Sequence, residues 1–427
     1  MVLVEPLVVP RSAHSISRRA IDSDALKVLH RLRKYKHTAY LVGGSVRDLL
    51  VDRHPKDFDI GTSAHPHEIK KLFKNCWIIG RRFRLAHIKF GSKTIEVATF
   101  RRQQTADDIP PAETEHRTIP SEAKAVPLES GTKKRPVIRD NNFGSAEEDA
   151  FRRDFTVNGL FYDAATLSVI DYVGGLTDLH NRLIRSIGDP NERFIEDPVR
   201  MVRAVSIAAR LNFRLDLPIR KAIERHKQEI TKASPARMTE ELYKMLRSGV
   251  STATYKLLLK LGLLEYIAPE IANGVSKQMW KSLQALDNFR NRFTSCPSSL
   301  TNAILLGSLL NPVKLIDLRP QRQRDEPEAR VSIGQLPVAK KDVERLRLLL
   351  LLQPRLLKGE LPSRSQTRLM HRSAFQEALS WMTIHTKDKE ALDRWETLVA
   401  KHGVPTKKKI VRRRRRRPRN KNMEITN

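Results

Sequence analysis

The sequence contains little cysteine and no long apolar run. Its 427 residues include only Cys76 and Cys296, too few for a disulfide framework or a thiolate zinc site, which favours a reducing cytoplasm. No run approaches the roughly 18 apolar residues that a membrane-spanning helix needs. An acidic residue and two prolines interrupt the apolar start, MVLVEPLVVPRSAHSISRRA. We therefore expect neither a signal peptide nor contact with a membrane.

Acidic residues are also scarce relative to basic ones. The chain has 48 Asp and Glu against 79 Lys and Arg, which gives a net charge of +31 and an isoelectric point near 10.4. Such an excess favours a polyanionic partner, and nucleic acid first, because neutralised phosphates release counterions. The alternatives are that the charge only solvates the surface or attracts the chain to anionic membranes.

Hydrophobic periodicity predicts an α+β fold. Short strand-like segments dominate the first part of the chain, and helical 3-and-4 spacing dominates from about Asp189 onward. We expect an N-terminal head with a small mixed β-sheet flanked by helices, then an all-α neck and body and a disordered basic tail. The predicted boundaries are 1–20 for a flexible arm, 21–187 for the head with a mobile loop at about 103–140, 188–250 for the neck, 251–401 for the body and 402–427 for the tail.

Two aspartates separated by one residue lie in the segment DFDIG, predicted as a strand over 57–61. Side chains at positions i and i+2 of a strand share a face. Asp57 and Asp59 should therefore point the same way, while Phe58 and Ile60 point into the fold. A lone Asp-x-Asp is usually an exposed turn, so its meaning depends on what surrounds it.

Two further features surround these aspartates. Gly43 and Gly44 follow a predicted strand and begin a helix, where backbone amides can bind a phosphate. Glu96 lies on a later predicted strand, and strand pairing can bring it beside the aspartates. Three carboxylates suit two Mg²⁺ ions, with Mn²⁺ able to substitute, and two such ions support phosphoryl or nucleotidyl transfer.

Four segments in this order resemble a known family. The segments LVGGSVRDLL…KDFDIGTSA, IEVATFR, EEDAFRRDFTVNGLFYD and RFIEDPVRMVRA are similar to motifs of the class II nucleotidyltransferase superfamily, which contains bacterial poly(A) polymerases and CCA-adding enzymes. The resemblance covers roughly residues 25 to 250. Within it, IIGRRFRLAHIKFG (78–91) resembles the segment that marks bacterial poly(A) polymerases, and the basic tail agrees with that choice.

The resemblance implies a role for each matching residue. Asp57, Asp59 and Glu96 would be the catalytic carboxylates, with Asp57 and Asp59 as the metal ligands. Asp197 and Arg200 would read the base in place of a template strand. The residues implied around the nucleotide are Gly43, Gly44, Ser45, Arg47, Arg152, Arg153, Asp154, Asn158, Asp197, Arg200 and Arg203.

Each of the last two motifs also has a plainer interpretation. Asp197 and Arg200, three residues apart, would be neighbours on a helix and offer acceptors and donors to a base, or they would form an intrahelical ion pair. In RRDFTVN, the arginines match phosphate oxygens. The competing interpretation is a surface helix in which Asp149 pairs with Arg153 and Asp154 faces Asn158.

The sequence thus predicts a polynucleotide adenylyltransferase that adds AMP from ATP to RNA 3′ ends. The alternatives are a CCA-adding or A-adding tRNA nucleotidyltransferase and a non-catalytic RNA-binding adaptor. The expected partners are RNA 3′ ends, ATP and, as candidates, RNA-decay proteins. The arginine run is expected to bind RNA, with a nuclear signal as its alternative; it comprises Arg412, Arg413, Arg414, Arg415, Arg416 and Arg417.

Overall fold

In this computed structural model, the structure describes residues 5–80, 84–102, 142–316, 318, 332–359 and 361–403. The chain divides into two compact units. The first comprises residues up to 297 together with 330–338, and the second comprises 298–329 and the chain from 339 onward. Among the described residues, no helix combines the length and the apolar character needed to cross a membrane.

An eight-stranded mixed sheet organises the first unit. Its strands are β1 (Leu7–Val9), β2 (Ala39–Val42), β3 (Ile60–Thr62), β4 (Cys76–Ile79), β5 (Leu85–Phe90), β6 (Lys93–Thr99), β7 (Leu160–Asp163) and β8 (Ser168–Asp171). They lie in the order β1-β8-β7-β2-β3-β6-β5-β4. The β3–β6 pair is parallel and the other neighbouring pairs are antiparallel. The predicted mixed sheet is confirmed.

Thirteen α-helices are described in the same unit. They are α1 (Ser23–Lys34), α2 (Gly44–Leu50), α3 (Pro66–Leu72), α4 (Ala146–Phe151), α5 (Gly175–His180), α6 (Pro190–Glu196), α7 (Val199–Leu211), α8 (Leu217–His226), α9 (Pro235–Arg247), α10 (Ser251–Lys260), α11 (Leu264–Ile267), α12 (Pro269–Asn273) and α13 (Lys277–Arg290). Two small sheets, β9 (Leu183–Ile184) with β10 (Arg214–Leu215) and β11 (Ser332–Ile333) with β12 (Leu336–Pro337), accompany this largely helical region.

The large sheet has two differently covered faces. Helices α1 and α3 contact strands β2 to β5, and their apolar stripe, which includes Val28, Leu32 and Ile69, is buried. On the face that carries Glu96, side chains of β6 are exposed or half-buried up to Ala98, after which Phe100 is buried in a cluster with Ala150 of α4. Helix α4 therefore lies at one side of a face whose other side is exposed among the described residues.

The described part of the predicted flexible arm is attached to the sheet. Leu7–Val9 forms the edge strand β1 and pairs antiparallel with β8, and Ile16 is buried. This differs from the expectation of a loose segment. The apolar run before Pro10 satisfies its backbone hydrogen bonds by extending an existing sheet.

The helices after β8 follow the sequence pattern. Gly249 and Gly262 lie at helix ends with positive φ values of 79° and 68°, as the sequence predicted, because glycine adopts this left-handed conformation without steric cost. The second unit contains α14 (Asn302–Leu310), α15 (Lys340–Leu357), α16 (Ser363–Met370), α17 (Phe375–His385) and α18 (Lys389–His402). The predicted loop at 103–140, residues 81–83 of the 78–91 segment and the tail with Arg412–Arg417 lie outside the described residues.

Candidate active site

The register of two strands brings the predicted acids together. Ile60 of β3 pairs with Val97 of β6 in parallel, so the preceding residues, Asp59 and Glu96, are also neighbours. Phe58 and Ile60 are buried while Asp57 and Asp59 are exposed, which is the predicted alternation. The predicted strand was wrong at its start, because β3 begins at Ile60 and both aspartates lie in the extended segment just before it.

The electrostatics of Asp59 reflect this crowding. Its side chain is accessible to solvent but the protein surrounds it on most sides. The resulting desolvation, with the negative charges of Glu96 and then Asp57, raises the pKa of Asp59 from 3.8 to about 6, and Arg153 opposes the increase. Carboxylates that repel one another at neutral pH are what a divalent cation stabilises.

The acids suit a metal ion that a bound ligand also coordinates. Within the described ranges, no group of three or more His, Cys, Asp or Glu side chains is arranged to hold a metal ion by itself. Magnesium, however, is usually held by one or two carboxylates together with phosphate oxygens and water. Asp57 and Asp59 supply two such carboxylates, and Glu96 adds negative charge beside them. The residues therefore fit Mg²⁺ in company with a nucleotide.

The Gly-Gly turn lies against Arg153. Gly43, at the N-cap of α2, has φ of 70° and ψ of −127°, a conformation that only glycine adopts readily. A Cβ on Gly43 would lie 2.8 Å from Arg153 Nη1, so the absence of a side chain leaves room for the guanidinium. That guanidinium is also held by Asp149, with Nη2 to Oδ2 at 2.8 Å.

Arg47 and Ser45 occupy buried positions beneath this turn. The Arg47 guanidinium donates to Asp48, with Nη2 to Oδ1 at 2.6 Å, and to Asn158 Oδ1. Burial lowers the pKa of Arg47 to about 10, with Asp48 opposing that decrease. The Ser45 hydroxyl donates to the Val42 carbonyl at 3.1 Å. Both side chains therefore support the turn from inside the fold.

The RRDFTVN segment combines both interpretations of its sequence. Asp149 accepts hydrogen bonds from Arg152 Nε at 3.2 Å and from Arg153, and Asn158 Nδ2 donates to Asp154 Oδ1 at 2.9 Å. These are the contacts of the plainer interpretation, but Asp149 is a buried residue of α4 and not an exposed one. Arg153 is close enough to the acids for its charge to lower the pKa of Asp59.

Asp154 links this segment to α7. Arg203 donates to Asp154 Oδ2 from Nε at 2.8 Å and from Nη2 at 2.7 Å. Burial alone would favour the protonated acid, but the Arg203 charge, together with the hydrogen bond from Asn158, holds the pKa of Asp154 down at about 2. The same contact raises the pKa of Arg203, so both groups are charged at neutral pH.

The predicted base-reading pair is arranged differently from the expectation. Asp197 is not on the same helix as Arg200, because it caps the end of α6 and α7 begins at Val199. Asp197 accepts two hydrogen bonds from Arg237, at 2.9 and 2.7 Å, and Arg200 Nη1 donates to Glu196 Oε2 at 2.7 Å. The intrahelical Asp197–Arg200 ion pair is therefore absent from the described contacts of these two residues.

Three residues of this network were missed in the sequence. Arg193 donates to the carbonyl oxygens of Arg152 and Arg153, each at 2.7 Å, and Glu196 contacts both Arg193 and Arg200. The 3-and-4 spacing of these residues was a usable signal. Arg237 lies 40 positions from Asp197, and no local pattern connects the two.

Comparison with known proteins shows that two segments of the chain match family models. Residues 39–185 match a family model described as "Poly A polymerase head domain", and residues 212–274 match one described as "Probable RNA and SrmB- binding site of polymerase A". The second match extends past residue 250, beyond the segments whose motifs carry the resemblance.

Individual proteins are similar over most of this chain. Poly(A) polymerase I of Salmonella typhi is 45% identical over 290 residues, which is 67% of this chain and 59% of that protein. A CCA-adding enzyme of Lactobacillus helveticus is 34% identical over 260 residues, or 61% of this chain and 59% of that enzyme. The chain therefore spans less than two thirds of the length of these relatives.

Solved structures show the same fold. The crystal structure of the Bacillus stearothermophilus CCA-adding enzyme in complex with CTP superimposes with a TM-score of 0.54 at 23% identity, covering 88% of this chain and 82% of that one. At this identity the likeness concerns the fold alone. The chain therefore shares the fold of that structure, and its residues 39–185 are similar to the poly(A) polymerase head domain.

Proposed function

We propose that this protein is a template-independent RNA nucleotidyltransferase that adds AMP from ATP to an RNA 3′ end and releases pyrophosphate. The observation that carries the proposal is that Asp59 and Glu96 directly precede the paired residues Ile60 and Val97 of β3 and β6, beside the Gly43 turn and the Arg153 guanidinium. The acids therefore lie close to a turn that can accommodate a phosphate, at Gly43, and to the positive charge of Arg153. The 45% identity to a poly(A) polymerase supports adenylate as the product.

Each group has a task in this reaction. The 3′-hydroxyl oxygen forms a bond to the α-phosphorus of ATP, the bond from that phosphorus to the pyrophosphate oxygen breaks, and the hydroxyl proton leaves to solvent. Asp57 and Asp59 would hold Mg²⁺, with Mn²⁺ as a substitute, and the metal would supply charge stabilisation for the attacking and leaving oxygens. Arg153 and the Gly43–Gly44 backbone bind phosphate oxygens.

The neck contributes the choice of base. Asp197 keeps a second lone pair on each carboxylate oxygen while it is bonded to Arg237, and Arg200 has donors besides the Nη1 group that contacts Glu196. These free positions supply an acceptor and a donor for the edge of a nucleobase. The contact between Arg203 and Asp154 positions α7, which also carries Arg200, relative to Arg153.

The direct test removes one acid. Asp57→Ala should abolish incorporation of AMP into an oligo(A) primer, whereas Asp393→Ala, an exposed carboxylate on α18, should leave it unchanged. Full activity of Asp57→Ala would refute the assignment. RNA binding without incorporation by the unaltered protein, at any Mg²⁺ or Mn²⁺ concentration, would instead support the adaptor.

A CCA-adding activity is the second candidate, favoured by the 34% identity to a CCA-adding enzyme. The unaltered protein is given a tRNA that lacks its 3′ end and an unstructured RNA, with CTP or ATP supplied separately. Addition of CTP to the tRNA that stops after two residues would establish this candidate. Long adenylate tracts on either RNA would establish poly(A) synthesis.

The remaining parts of the proposal concern the setting of the reaction. RNA-decay proteins are proposed partners, supported by the SrmB-binding description of the model that matches residues 212–274. We also propose a role in messenger RNA processing and a cytoplasmic location. The location is supported by both cysteines being free thiols, as in a reducing compartment. Arg412–Arg417 are proposed to add RNA affinity, so deletion of 411–427 should weaken RNA binding and flatten its salt dependence.

A further inference from the structure

One row of side chains crosses the open face of the large sheet, from the acids to its edge. Glu96 pairs with His87 of β5, and His87 pairs with Trp77 of β4. Cross-strand partners project to the same face, and Asp59 lies next to Glu96 on the other side. One row is therefore formed by Asp59, just before β3, and by Glu96, His87 and Trp77 on three neighbouring strands. The His87 Nε2 and Glu96 Oε1 atoms are 3.5 Å apart.

The far end of the row is an exposed aromatic surface with positive charge. Trp77 is 50% exposed on the edge strand, and so is Ile79 on the same face. The Nζ atoms of Lys70 and Lys89 lie 5.7 and 5.2 Å from the centroid of the Trp77 ring. An exposed ring with flanking ammonium groups matches single-stranded nucleic acid, since bases stack on the ring and phosphates contact the cations.

The position of the row relative to the acids indicates that it contacts the RNA primer. The phosphate-binding groups around Gly43 and Arg153 lie on the β2 and β7 side of the acids, and Trp77 lies on the opposite side. An in-line displacement brings the attacking hydroxyl to the phosphorus from the side opposite the leaving pyrophosphate. The primer therefore approaches over β5 and β4.

We propose that Trp77, with Lys70 and Lys89, is a stacking site for a base of the RNA primer a few nucleotides before its 3′ end. This inference rests on the proposed function, because it takes Asp57 and Asp59 as the point that the 3′ end reaches. Three strand spacings of about 4.8 Å separate Asp59 from Trp77. The resulting distance of about 15 Å corresponds to roughly four stacked nucleotides, or fewer in an extended strand.

The test compares primers that do and do not span the row. Binding and extension are measured for oligo(A) primers of about two and about twelve nucleotides, which fall short of and exceed roughly 15 Å. Trp77→Ala should weaken binding of the long primer roughly tenfold and leave that of the short one within about twofold. Trp77→Phe keeps a stacking ring and should retain most of the affinity. The KM for ATP should not change.

A matched control uses another exposed aromatic side chain beside a cation. Tyr35, at the end of α1, is 52% exposed and lies 6.0 Å from the Arg31 guanidinium carbon, outside the row. Tyr35→Ala should bind both primers normally. Unchanged binding of the long primer by Trp77→Ala, or an equal loss for both lengths, would overturn the inference.

The two proposals fail in distinguishable ways. If the unaltered protein binds oligo(A) but incorporates no nucleotide, the proposed function fails, while the binding comparison still decides the role of Trp77. If incorporation is normal and Trp77→Ala binds the long primer like the unaltered protein, only the stacking site fails. A Lys70→Ala, Lys89→Ala double variant should also reduce the salt dependence of primer binding.

Discussion

Arg203 on α7 contacts Asp154 through two nitrogens, Nε at 2.8 Å and Nη2 at 2.7 Å from the same carboxylate oxygen. This contact joins the segment that carries Arg153 to the helix that follows Asp197. Because Asp154 is largely enclosed, the contact also keeps a charge stable inside the protein, with the pKa of Asp154 at about 2.

Removing Arg203 should be costly for stability. Arg203→Ala leaves the Asp154 carboxylate enclosed without its main counter-charge, and we expect a loss of about 3 kcal/mol in the free energy of unfolding at pH 7. Urea unfolding measures it. Lys27→Ala, which breaks an exposed pair with Asp24, is the control and should cost less than about 0.5 kcal/mol. A similar cost for both variants would contradict the importance of the Arg203 contact.

The same pair predicts a pH dependence. The folded-state pKa of Asp154 lies below the ordinary value of 3.8, so its contribution is fully present above about pH 4 and is lost as the pH falls towards 2. The stability difference between the unaltered protein and Arg203→Ala should therefore shrink over that range. A difference that stays constant down to pH 2 would contradict this assignment.

Asp59→Asn should be inactive but more stable. The folded-state pKa of Asp59 is raised from 3.8 to about 6, so the ionised acid destabilises the metal-free fold increasingly as the pH rises from about 4 to 6. In EDTA at pH 7 we expect Asp59→Asn to gain about 1 kcal/mol, an amount already reduced for solvent screening. Urea midpoints at pH 4 and pH 7 measure this gain.

Added Mg²⁺ provides the matching control for Asp59. The ion should stabilise the unaltered protein at pH 7 and have little effect on Asp59→Asn, since binding requires the ionised acid. Equal stability of the two proteins in EDTA at both pH values would refute the proposed crowding of the acids.

Gly43→Ala should damage the site beyond its cost in backbone strain. The new Cβ would lie 2.8 Å from Arg153 Nη1, so the guanidinium must move, and we expect at least a tenfold loss in incorporation, about 1.4 kcal/mol in the barrier. Gly174→Ala is the matched variant, because Gly174 has φ of 78° with no atom within 4 Å of the added Cβ. It should be mildly destabilised but active. Equal activities would show that Arg153 tolerates the displacement.

The second unit should lose stability in mild acid. His385 is largely enclosed, its Nε2 lies 2.9 Å from Ser308 Oγ, and burial lowers its pKa to about 4. A depressed histidine pKa means that stability is intact above about pH 6.5 and falls as the pH decreases to 4, by about 3 kcal/mol. The fluorescence of Trp381, whose ring centroid is 4.1 Å from that of His385, reports it. His385→Asn should remove this dependence, and its persistence would exclude His385 as the cause.

Local patterns were enough to predict much of the fold. The strands of the head, α1 and the helix ends at Gly249 and Gly262 follow from hydrophobic periodicity and from glycine, because each depends on neighbours within a few positions. The same reasoning placed Phe58 inside and Asp57 and Asp59 outside. It failed for the start of β3, which begins at Ile60 although burial already alternates from Asp57.

The sequence by itself therefore determined which functional groups are present and in what order. These are three acids, a Gly-Gly turn, a basic excess and the ordered motifs. The tertiary structure alone decided that Arg47 is buried against Asn158, that Asp197 pairs with Arg237 and that Trp77 aligns with Glu96 through His87. These relationships join residues that are distant along the chain. They arise from strand order and helix packing, which no local periodicity specifies.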